Sequence, residues 1–172
     1  MRRRGATRGM TAIEIAITFA IVGSLLAVAV PAFVRELHAS KFVEAVDGVN
    51  AIAASATSYA RAHDVAHAYP PSAPLTPSHV PQGKREVDPP QTWDNPTWKT
   101  LAFRATPEGV PHAFSFAFDS VTSPTRSTFV AHAHADLDGD TVTSTFEVRG
   151  HDATGEPGPV IEPGMVVSAE VE

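Results

Sequence analysis

Residues 15–34 form a run of 20 positions without a single charge, preceded by a leader in which Arg2, Arg3, Arg4 and Arg8 meet no acid. No other feature constrains the fold so strongly. As a helix rising about 1.5 Å per residue, the run is roughly 30 Å long, the thickness of a bilayer's hydrocarbon core. Arginines on its N-terminal side predict that this end stays in the cytoplasm and that the remainder is exported. An ordinary secretory signal, cut after Ala27-Val28-Ala29, is the plainer alternative. One residue argues against it. Glu14 puts a carboxylate at the head of the run, where a cleaved signal gains nothing from a charge that costs about 2–4 kcal/mol near a bilayer centre. An intramembrane carboxylate calls for a cation. No lysine, arginine or histidine lies between Met10 and Val34, so the cation must come from another chain or from a new α-amino group.

Gly9-Met10-Thr11-Ala12-Ile13-Glu14, following a short basic leader, resembles the prepilin signal of type IV pilins and type II secretion pseudopilins. The resemblance implies cleavage by a prepilin peptidase between Gly9 and Met10 and N-methylation of Met10. It also implies that Glu14 pairs with the amine of a neighbouring subunit during assembly. Pro31 stands where pilins commonly carry a helix-loosening proline. Met10 and Ala12 depart from the phenylalanine and leucine usual in the family. The match is specific over residues 2–34 and only architectural beyond them. It implies an inner-membrane protein, N-terminus inside and head in the periplasm. Other pilin-like subunits, the assembly machinery and the bilayer are the implied partners, and a pseudopilus or surface pilus is the end state.

Beyond Pro31 the pattern turns amphipathic. Phe42, Val46, Val49, Ile52, Ala53, Ala56, Tyr59 and Ala60 recur at helical steps, with Arg35, Glu36, Lys41, Glu44 and Asp47 on the other faces. One helix is therefore expected to run to about residue 62, with Gly48 as a bend and an apolar stripe for a sheet to cover. Four units follow: leader 1–9, membrane and assembly helix 10–34, amphipathic helix 35–62, and a head over 63–172.

Seven prolines between residues 70 and 90 exclude a helix or a central strand there. Trp93, Trp98, Leu101 and Phe103 read as anchors of this connection. Alternation predicts strands over 113–118, 128–137 and 141–149, with Asp138-Gly139 as a hairpin turn and Met165-Val166-Val167 as a short edge strand. The fold class is α+β, a long N-terminal helix packed by a small antiparallel sheet, which is also the architecture the resemblance implies.

The head offers tempting clusters. His132-x-His134-x-Asp136 resembles the HxHxDH motif of metallo-β-lactamases, but Leu137 replaces its last histidine. The solvent face of a hairpin accounts for the alternation. Asp136, Asp138, Asp140 and Glu147 carry EF-hand carboxylate spacing, yet Thr141 stands where that loop needs glycine. No metal or other cofactor is expected from these residues; the resemblance keeps a structural Ca²⁺ at them as the alternative. There is no cysteine, so disulfides, thiol catalysis and Cys-ligated zinc are excluded. Net charge is −6, and without residues 1–9 it is −10, from 9 basic and 19 acidic residues. Such a surface disfavours nucleic acid. The expected function is a structural, non-enzymatic subunit. Its rival is an exported or membrane-anchored periplasmic binding domain that does not polymerise.

Overall fold

The computed structural model describes residues 10–168, apart from the side chains of residues 34–41. The basic leader and Gly9 therefore lie outside the described residues, as do the side chains of Arg35, Glu36 and Lys41. The chain divides into two compact units, Met1–Ala39 and Ser40–Glu172. A single helix, α1 (Ala12–Ala60, 49 residues), belongs to both and continues through Pro31.

In the first unit α1 is long and apolar enough over Ala12–Phe33 to span a membrane, and none of that stretch is buried by other described residues. Its hydroxyls are satisfied internally. Thr18 donates to the Glu14 carbonyl and Ser24 to the Ala20 carbonyl, each at 2.8 Å. No polar hydrogen is thus left facing outward from the middle of the run.

In the second unit α1 presents Ala45, Val49, Ile52, Ala53, Ala56 and Ala60, each at most 1% exposed, to the inner face of an antiparallel sheet. The strands are β1 (Ala73–Thr76), β2 (Ser115–Val121), β3 (Arg126–Ala135), β4 (Ser144–Ala153), β5 (Val160–Ile161) and β6 (Val166–Ser168). Their order is β1-β2-β3-β4-β5, and β6 also pairs with β4. Phe114, Phe116 and Phe118 fill the core from the β2 side, Phe129, Ala131 and Ala133 from β3, and Phe146 and Val148 from β4. Along β3 burial alternates as the sequence predicts, whereas Ala113, just before β2, and Ser115, at its start, are buried along with the phenylalanines.

Three details differ from expectation. Gly48 is a point of close approach: a β-carbon there would overlap the Phe116 ring, which explains the glycine without invoking a bend. Glu44 does not belong to a solvent face. Its side chain is 14% exposed, and Oε1 accepts from the Ala113 and Phe114 amides at 2.8 and 3.2 Å while Oε2 takes Arg85 at 2.7 Å. Strand β4 begins three residues later than expected and runs to Ala153. Residues 136–143 form a loop longer than a two-residue hairpin turn. Beyond it, Gly150 lets the Phe129 ring and the Val160 carbonyl approach the strand, so the glycine continues β4 instead of ending it.

The proline-rich connection supplies only β1, an edge strand, as its composition requires. A short helix, α2 (Pro96–Thr100), follows, capped by the Asn95 side chain, which accepts from the Thr97 amide at 2.8 Å. Trp98 Nε1 donates to Thr76 Oγ1 at 2.9 Å and Trp93 Nε1 to Asp88 Oδ2 at 2.7 Å. Both indoles pack with Phe103. They anchor the connection to the core, as expected.

Candidate functional site: an acid-bearing apolar helix and the acidic loop of the head

At the start of α1, Thr11 is the last residue before the helix and Glu14 sits in its first turn. Glu14 Oε2 accepts from the Thr11 amide at 2.7 Å and from the Thr11 hydroxyl at 3.0 Å, while the Glu14 amide donates back to Thr11 Oγ1 at 3.3 Å. This is a reciprocal capping box, which satisfies two helix-end donors and favours a carboxylate at the positive end of the helix dipole. Thr11 was missed as a site residue, although Thr-x-x-Glu before an apolar run is a readable signature of this box. Thr11 supplies neutral donors and no cation, so among the described residues the carboxylate meets no positive charge. Met10, 62% exposed, immediately precedes the box. Pro31 lies 17 residues further along the helix, where it leaves the Ala27 carbonyl without its helical donor.

The acidic loop of the head is built otherwise. Asp136 is buried, and its two oxygens accept from the Gly139 amide at 2.7 Å and the Thr141 amide at 3.0 Å. Asp138 accepts from the Asp140 amide, and Asp140 from the Val142 amide. Thr141 has φ 79°, in the left-handed region that an EF-hand loop reserves for glycine. Carboxylate oxygens of Asp136, Asp138 and Asp140 lie within 4.8 Å of one another, a donor set of the kind a hard cation such as Ca²⁺ takes. Glu147 does not join them. It bonds Arg149 at 2.8 Å and lies 3.5 Å from His132. The Arg149 hydrogen bond holds its carboxyl below the ordinary range, with the charges of His132, Arg149 and His134 acting the same way.

Asp136 also leaves the face it was expected to share with the histidines, because β3 ends at Ala135 and the aspartate turns into the loop. His132 instead faces Asp119 at 3.1 Å, and His134 Nδ1 lies 2.9 Å from Thr145 Oγ1. Burial, assisted by the neighbouring His132, lowers the His134 pKa. These outer-face histidines are cross-strand ties between β2, β3 and β4. Among the described residues, the three aspartates are the only group of three or more His, Asp or Glu side chains spaced to hold a metal.

No protein-family model, curated protein or solved structure matches this chain.

Proposed function

We propose that the chain is a pilin-like structural subunit, cut by a prepilin peptidase between Gly9 and Met10, methylated on Met10, and polymerised through α1 into a type IV pilus or type II secretion pseudopilus. The observation that supports this reading is Glu14, a carboxylate that meets no cation among the described residues, at the start of the stretch Ala12–Phe33, which no described residue buries. Before assembly the bilayer covers Ala12–Phe33 and Thr11 holds the carboxylate in a neutral cap. In the filament, apolar helices of neighbouring copies replace lipid, and the amine of a neighbour's Met10 supplies the missing positive charge. In a dry environment such a pair is strong when formed and costly when broken, so it enforces register between subunits.

Intact-mass spectrometry of the mature protein tests the processing step. The expected species starts at N-methylated Met10. A mature N-terminus near Val30 belongs to an ordinary secretory signal and overturns the proposal. The assembly step is tested with Glu14→Ala and Glu14→Gln. Both remove the charge, so both are expected to leave processed, membrane-inserted subunits that do not polymerise. A non-polymerising, membrane-anchored binding domain has no use for Glu14, and normal filaments or secretion from Glu14→Ala would favour it.

A further inference from the structure

The head contains a cleft of about 440 Å³ where α1 ends, lined by Ala60, Arg61, His63, Asp152 and the turn of Pro157, Gly158, Pro159 and Val160. Its size falls in the range of small-molecule sites. Asp152 is 6% exposed. Among the described residues it accepts no hydrogen bond and makes no ion pair, unlike Glu44, Asp88 and Asp136, the other acids shielded by the fold. Its carboxylate lines the cleft and is not sealed in the core, so a positive charge entering there can reach it. Arg61, on the same lining, also lacks an acid partner among the described residues. Two unspent charges of opposite sign therefore share one cleft without meeting.

The surroundings favour an ammonium at the inner position. The last carbonyls of α1, at Thr57, Tyr59 and Ala60, close the helix against the amides of residues 61–63, and they place the negative end of the helix dipole at this cleft. The nearby Tyr69 hydroxyl is also buried without a partner. Burial, and then the Asp152 charge, push its phenol well above the ordinary range. One side of the cleft is held in place by His63, whose ring stacks on Tyr59 with centroids 3.9 Å apart and whose Nδ1 lies 2.7 Å from the Tyr59 carbonyl oxygen.

We propose that this cleft binds a small zwitterion of the amino-acid class, its ammonium seated on Asp152 and its carboxylate held by Arg61 at the mouth. The inference does not depend on whether the chain polymerises. It is tested on the full chain in detergent micelles, ¹⁵N-labelled, titrated separately with glycine, 6-aminohexanoate, propylamine and propionate. Saturable amide shifts are expected for residues 60–63, 152 and 157–160 with at least one of the two zwitterions. Propylamine should bind more weakly and propionate more weakly still. Asp152→Asn preserves shape and should weaken the zwitterion about tenfold, the worth of one charge-assisted contact. Arg61→Gln changes an exposed residue whose side chain makes no ion pair among the described residues. It should weaken the zwitterion at least about threefold while leaving propylamine unchanged. Saturable shifts absent from the unaltered chain with both zwitterions would overturn the proposal, and so would Asp152→Asn or Arg61→Gln binding zwitterion as the unaltered chain does. If Asp152→Asn fails to fold, the Arg61→Gln comparison decides alone.

Discussion

A single carboxylate, Glu44, connects helix to sheet. Its two oxygens serve the Ala113 amide, the buried Phe114 amide and Arg85. Glu44→Ala leaves those amides without acceptors, and such losses at a half-buried charged group cost about 1–3 kcal/mol. Glu44→Gln keeps one acceptor oxygen and should cost less than half as much. Urea titration of the two variants checks the ordering. At Thr141 the sign reverses. A β-branched residue at φ 79° is strained, and Thr141→Gly should gain about 1 kcal/mol provided the loop keeps its conformation. A lowered urea midpoint would mean that the loop does not hold Thr141 in this geometry.

Among the elements, the approach of α1 to β2 sets the tightest tolerance. Gly48→Ala adds one methyl, normally favourable in a helix, yet here it meets the Phe116 ring. Overpacking of this kind costs about 1–3 kcal/mol, more than the propensity of alanine returns. A melting temperature lower than that of the unaltered protein is the expected result. An increase would show that Phe116 has room to turn aside. The tie between β3 and β4 contributes differently, through protonation. His134 has a pKa below the ordinary 6.5, so the fold favours its neutral form. Its penalty is absent above that value and grows as pH falls below 6.5, where the unfolded chain takes up the proton first. Glu147 has a pKa below the ordinary 4.5, so its stabilisation is present above that value and fades as pH falls through its lowered folded value. Melting temperature should therefore decline in two acid steps. His134→Asn, which retains a partner for Thr145, should remove the upper step alone.

For the whole molecule, α1 carries two different obligations along one length. Ala12–Phe33 is an apolar stretch that no described residue buries, while the stripe from Ala45 to Ala60 is buried against the sheet. Substitutions in the two stretches should therefore be separable. Glu14→Ala is expected to leave the melting temperature of the head unchanged while abolishing assembly, and Gly48→Ala to lower the melting temperature without affecting cleavage at Gly9–Met10. Coincident loss of both properties in either variant would show that the two stretches act together.

The sequence by itself determined the local periodicities. The uncharged run, the helical recurrence from Phe42 to Ala60 and the alternation of Phe114, Phe116 and Phe118 each impose one structure, because burial demands one face. The proline-rich connection was legible for the same reason, since proline removes a donor wherever it stands. The cap on Glu14 was also written locally, as Thr-x-x-Glu. What only the tertiary structure decided are contacts between residues far apart in the chain. Glu44 looks like a solvent-facing charge until the Ala113 and Phe114 amides, about seventy residues away, arrive beside it. Gly48 looks like a bend until Phe116 packs over it, and Gly150 looks like a strand end until Val160 pairs alongside. Asp152 looks like an ordinary strand-end acid until the fold sets it in one cleft with Arg61. Periodicity reports which face is buried. It carries no information about which distant group will stand opposite, and that depends on strand order and helix position, which are settled together when the core packs.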